Sequence, residues 1–103
     1  MAQRQREYER TDEPIDTTGD LLVVEIPGDA LVSVDIDATA AADFELDRST
    51  TGEETDRLGV AESYSSTDTV ADAFHLGDRY LHVRVASAAA AGETADVTVQ
   101  VGR

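Results

Sequence analysis

From Leu21 to Val101 the apolar residues of this chain recur at every second position, and that period constrains the fold more than any other feature. Strict alternation turns successive side chains to opposite faces of a β-strand, whereas an amphipathic helix needs apolar positions three and four apart. "LLVVEI" (21–26) is apolar on both faces and closes at the turn signal Pro27-Gly28-Asp29. "LVSVDID" (31–37) sets Val32, Val34 and Ile36 against Ser33, Asp35 and Asp37, and "ADFELDR" (42–48) sets Phe44 and Leu46 against Asp43, Glu45 and Asp47. A weaker strand runs over 58–66 through Leu58, Val60 and Tyr64, and another over 70–76 through Phe74 and Leu76. Past Gly77-Asp78, residues 79–87 turn Leu81, Val83 and Val85 inward, and residues 95–101 do the same with Ala95, Val97, Val99 and Val101. The "SAAAAGE" run between them (87–93) is too short to nucleate a helix and is expected to be the loop of a terminal hairpin. Seven short alternating strands predict an all-β domain over 20–103, an antiparallel two-sheet β-sandwich of Ig-like or jelly-roll-like type.

Residues 1–19 do not share this period. They are polar, hold Arg4, Arg6 and Arg10, and end in the turn-rich "TDEPIDTTGD". Residues 1–10 carry +1 and residues 11–103 carry −15. This segment is expected to be a flexible arm that orders against a neighbouring molecule.

The charge balance limits the partners. There are 22 acidic residues against 8 basic ones, net −14, and every basic residue is arginine. Such a chain repels itself until salt shortens the screening length to about 3 Å near 1 M, which points to work in concentrated salt. A surface of this sign argues against DNA or RNA as a partner. No apolar run approaches the ~20 residues of a membrane span, and the N-terminus lacks a signal-peptide core, so neither a membrane nor an export signal is expected. With no cysteine, disulfides and thiolate chemistry are excluded.

No motif spells out a reaction. His75 and His82 fall on adjacent predicted strands, with Asp35 and Asp37 elsewhere, and the spacing matches no zinc or general-base pattern. No nucleophile elbow, phosphate loop, dinucleotide fingerprint or EF-hand loop occurs. Accordingly no catalytic residue, cofactor or metal ligand is assigned. The carboxylates of "VDID" and "DFELD" are explained by a solvated strand face, with a Ca²⁺ site as the alternative. Tyr80, His82 and Arg84 share one strand face opposite Leu81, Val83 and Val85. That face either meets a neighbouring subunit, or Tyr80 caps the core edge while Arg84 pairs with acids across the sheet.

"FHLGDRYLHVRVASAAAAGETADVTVQVGR" (74–103) resembles the C-terminal pattern of small β-sandwich virion proteins of tailed viruses. There a turn leads to an aromatic-rich strand, here Arg79-Tyr80 and Val83-Arg84-Val85. A small-residue loop (87–92) and a last strand (95–103) follow. The likeness extends more weakly to "VSVDIDATAAADFELDRSTTGEE" (32–54). With the salt-adapted composition, it implies a non-enzymatic structural protein of a haloarchaeal tailed virus or provirus, a capsid decoration, turret or tail-associated subunit. Its location would be the virion and its partners itself and other virion proteins, through Arg4, Arg6, Arg10, Tyr80, His82 and Arg84. The alternative is a glycan- or Ca²⁺-binding β-sandwich module.

Overall fold

The alternation does make strands, but fewer and longer ones than the turn signals suggest. The computed structural model describes residues 5–26, 28–76 and 79–102. Its strands are β1 (Gln5–Pro14), β2 (Gly19–Glu25), β3 (Ala30–Ser49), β4 (Gly59–Leu76), β5 (Tyr80–Ser87) and β6 (Thr94–Gly102). All pair antiparallel in one six-stranded sheet of order β1-β6-β3-β5-β2, with β4 on the remaining edge of β3. The chain is therefore all-β and antiparallel, but the seven-strand, two-sheet arrangement is replaced by a single curled sheet.

The difference has a local cause. The strands expected over 31–37 and 42–48 are one 20-residue strand, and those over 58–66 and 70–76 are one 18-residue strand. The linking residues 38–41 and 66–69 contain no Gly or Pro, so nothing ends the ladder. It passes through as irregular pairing between Asp37 and Phe44. β4 follows one edge of β3 throughout, and the other edge is shared end to end by β6 (Leu31–Ala38) and β5 (Asp43–Ser49). β5 and β6 are thus not the two arms of a hairpin. The alanine run is an excursion between two collinear strands.

Each long strand is interrupted near the same level, which forms a waist. Ser66 in β4 and Asp12 in β1 adopt φ of 50° and 53°, unusual for residues with a Cβ. An aspartate on the neighbouring strand holds each of these amides: Ser66 N–H donates to Asp43 (2.7 Å) and Asp12 N–H to Asp96 (2.9 Å). Such bulges bend a sheet. The bend is visible in β4 itself, where the Tyr64 hydroxyl donates to Asp72 Oδ2 at 2.7 Å. Eight residues of straight strand would hold those positions about 26 Å apart. Burial, and then the bond to Asp72, holds the Tyr64 hydroxyl protonated well above the usual tyrosine range. The alanine loop is tied to the same waist, since Ala89 N–H donates to Ile15 O (2.9 Å) and Gly92 N–H to Asp16 (3.0 Å).

The curl gathers one face into a core. Ile15, Leu22, Val24, Val32, Val34, Ile36, Phe44, Leu46, Leu81, Val83, Val85, Val97 and Val99 are all buried there, and among the described residues Phe44 is its one fully buried phenyl ring. Residues 5–14, expected as an arm lying on a neighbour, instead pair with β6 from Gln5↔Gly102 to Pro14↔Thr94. An edge strand needs no apolar stripe of its own: backbone pairing, Tyr8 against the core and buried Ile15 anchor it. Arg4 lies outside the described residues. Arg6 and Arg10 are exposed on β1.

Candidate functional site

In the half of the sheet formed by β2, β5 and the end of β3, both faces are covered. Leu81, Val83 and Val85 face the core, yet His82 and Arg84 between them are buried as well. So are Asp47 and Ser49, on the face of β3 opposite Leu46. The segment 50–58, with a single 3₁₀ turn at Glu54–Asp56, lies over this second face. Strand register sets the polar groups side by side: Glu45 opposite Arg84, Asp47 opposite His82, and Asp20 of β2 across from Arg84.

A continuous chain of hydrogen bonds results. Gly52 N–H donates to Ser49 Oγ (3.0 Å), which lies 2.6 Å from His82 Nε2. His82 Nδ1 lies 2.9 Å from Asp20 Oδ2, and Arg84 donates to Asp20 Oδ1 at 3.1 Å. In a neutral ring the carboxylate fixes the proton on Nδ1, so Nε2 accepts from the serine hydroxyl. Arg84 also reaches Glu45 (3.3 Å) and Glu54 (3.8 Å), while Arg57 from the covering segment donates to Asp47 and approaches Glu45 at 3.5 Å. Gly52 is needed twice over in this cover. Its φ is +81°, and a Cβ there would meet the Tyr80 ring at 3.2 Å.

The order Ser49–His82–Asp20 is that of a hydrolase charge-relay triad, in which histidine takes the proton of an attacking serine. Attack also needs an open side at the hydroxyl oxygen, and Ser49 and His82 are both fully buried beneath the chain's own segment. What the arrangement can do chemically is clamp. Six polar side chains from three strands form this network, and four of them, Glu45, Asp47, Ser49 and Arg84, hold segment 50–58 against the sheet in a partly dry environment, where such bonds are stronger than in water.

This site alters the sequence-based assignments. His82 and Arg84 are not on a free interface face, because the chain's own 50–58 segment covers them. Arg84 does pair with acids across the sheet, which was the alternative expectation. Tyr80 is half-buried against Gly52. His75 is not near His82: it is exposed on β4, 3.8 Å from Asp29. Asp35 and Asp37 face solvent on β3, and among the described residues no three acidic or histidine side chains are arranged to hold a metal ion. The importance of Ser49, Asp20 and the 50–58 segment has only one trace in the sequence, a histidine and an arginine inside a strand whose other face is wholly apolar.

Glu45 carries the strain of this packing. Burial first, then repulsion from Asp47 and a shared hydrogen bond with it, raises its carboxyl above the ordinary 4.5, against the opposing pull of Arg84 and Arg57. A raised carboxyl favours the folded state when protonated and loses that contribution as pH rises through the folded value. Glu45→Gln is therefore expected to melt at a higher temperature than the parent chain at pH 7. The gain should vanish as pH falls below the ordinary glutamate value of 4.5. Melting curves of both chains across that range check it.

No family model matches this chain, and no curated protein matches it in sequence. Among solved structures it is similar to the SPBc2 prophage-derived protein YomS, with a TM-score of 0.65 over 100% of this chain and 98% of that one, at 10% identity. It also aligns with PirA, at a TM-score of 0.45 and 12% identity over 94% of this chain and 93% of that one. The first likeness extends over the whole fold, both halves of the curled sheet included, and places this chain among proteins that share that fold.

Proposed function

We propose that this chain is a non-enzymatic structural subunit of a tailed-virus or prophage particle, of haloarchaeal type, built into the capsid or tail and acting by assembly. The observation that carries this reading is the end-to-end likeness in fold to a prophage-derived protein of almost the same extent. Composition supports the salt-adapted part, since a net charge of −14 with arginine as the sole basic residue suits a medium that screens repulsion. Burial of Ser49 and His82 supports the non-enzymatic part, because the one arrangement with hydrolytic geometry among the described residues lies beneath the chain's own segment 50–58.

Two experiments test the two halves. A serine-directed fluorophosphonate should leave the folded chain unlabelled, and labelling at Ser49 would contradict the structural role of the network. In cells that release the particles, deletion of the gene should abolish or deform them. Complementation by Ser49→Ala should then work as well as the parent gene. Normal particles after deletion would overturn the assembly role, and failure of a folded Ser49→Ala chain to complement would overturn the absence of catalysis.

A further inference from the structure

We infer that Glu45 and Asp47 share one proton in the folded chain, and that this proton latches segment 50–58 onto the sheet. The two residues stand two apart on β3, which turns both side chains to the covered face. A single nitrogen of Arg57, Nη1, contacts both, at Glu45 Oε1 (3.5 Å) and at Asp47 Oδ2. Glu45 Oε1 also lies 3.3 Å from Arg84 Nε. The two guanidinium groups thus gather at one oxygen of each carboxylate. The other oxygen of Asp47, Oδ1, is buried without a hydrogen-bond partner, which is costly. Asp47 is 2% exposed, so no outside cation reaches it. Among the described residues the ion pairs of Arg84 go to Asp20, Glu45 and Glu54. The donor that remains for Oδ1 is the neighbouring carboxyl: a protonated Glu45 donates its O–H to Asp47.

The charges around the pair favour the same proton. Facing Glu45 are Asp47 on its own strand, Asp20 on β2, His82 and Arg84 on β5, and Glu54 and Arg57 on the covering segment. On β4 the residue opposite Glu45 is Ser63, and alternation turns the flanking Glu62 and Tyr64 to the other face. With His82 neutral, four carboxylates stand against two guanidinium groups, an excess of two negative charges in a partly dry cluster. One retained proton halves that excess. Burial, and then the adjoining Asp47, raise the Glu45 carboxyl, which makes Glu45 the carrier.

Arg57 anchors the segment on Asp47, and Glu54 meets Arg84. While the proton is held, Arg57 answers one charge. Once it is lost, Glu45 and Asp47 repel each other beneath the segment and Arg57 must serve both. Segment 50–58 then loosens and uncovers His82 and Arg84 on β5. With the segment open, Glu45 meets water and returns toward its ordinary 4.5. The latch is therefore complete below that value, weakens as pH rises toward the raised value of the closed state, and is absent above it. The pH of the medium sets whether this face of the sheet is closed.

Amide hydrogen exchange of the full chain across pH, corrected for the intrinsic exchange rate, tests the latch. The reporter is Gly52 N–H, which donates to Ser49 Oγ beneath the segment. In the parent chain its protection should be greatest below 4.5 and fall above that value. The fall should approach about tenfold per pH unit, the slope that one proton gives. Glu45→Gln carries a permanent amide donor for Asp47 Oδ1, so its protection should stay flat over the same range. Protection in the parent chain that does not change with pH would overturn the proposal. So would a folded Glu45→Gln chain that keeps the parent slope, since the titrating group would then be another, such as His82. Carbon-13 titration of the parent chain supplies a readout that needs no variant. The carboxyl carbons of Glu45 and Asp47 should shift together in one step, and two independent steps would show that no proton is shared.

Discussion

Arg84→Ala should cost this chain about 3 kcal/mol or more, the range seen when one partner is removed from a buried ion pair. Arg84 is nearly buried and faces three carboxylates, those of Asp20, Glu45 and Glu54. Removing it leaves them with like-charged neighbours and deprives Asp20 of the donor that balances His82. In a domain of this size the total stability is about 5–15 kcal/mol, so the melting temperature should fall by ten degrees or more. Arg84→Lys should recover only part of the loss, because an ammonium supplies the charge without the planar fork that spans Asp20 and Glu45. The deficit should shrink in acid, where the orphaned carboxylates become neutral. A loss that does not change with pH would mean that Arg84 acts by packing and not by charge.

The second large effect is expected at Phe44. Among the described residues it is the one fully buried phenyl ring, and it sits just past the waist, where β3 pairs with Tyr64 of β4 and Val85 of β5. The rest of the buried core is valine, leucine, isoleucine and alanine, and the aromatic rings packed against it, Tyr8, Tyr64 and Phe74, are only partly buried. Phe44→Ala is expected to cost about 3–5 kcal/mol through lost burial plus a residual cavity. Because the ring sits where the two halves of the curled sheet meet, the loss should appear as one cooperative shift of the denaturant midpoint. Two separate transitions would show that the halves fold independently.

The parts of the fold that were legible in the sequence are those that depend on period alone. Leu81, Val83 and Val85 and the run Val97, Val99, Val101 alternate, and they are buried as alternation requires. Strand ends were harder to read. Loss of large apolar residues at 38–41 and 66–69 looks like a turn, but small and β-compatible residues without Gly or Pro let a ladder run on through a bulge. β1 was hidden for the opposite reason. An edge strand paired on one side only, with Tyr8 alone packed against the core, leaves almost no hydrophobic signature, and its pairing comes from the backbone.

The polar clamp was illegible for a further reason. Asp20, Ser49 and His82 are separated by 62 and 33 residues from their partners. Only strand register brings them together, and register follows from the order of strands, which one sequence does not determine. What could be read was the oddity of His82 and Arg84 between apolar neighbours. That oddity fits an outside partner or an inside one equally well. Segment 50–58, a string of turn-forming and acidic residues, gave no sign that it would fold back and become the inside partner.

The account's central claim is that this protein works by being built into a particle and not by turning over a substrate. The most direct measurement is quantitative mass spectrometry of density-purified particles from cells that carry the gene. The account predicts that the chain is present in many copies per particle, in fixed ratio to the other structural proteins, and remains bound in concentrated salt. Particles that contain none of it, while the chain accumulates free in the cells, would contradict the claim.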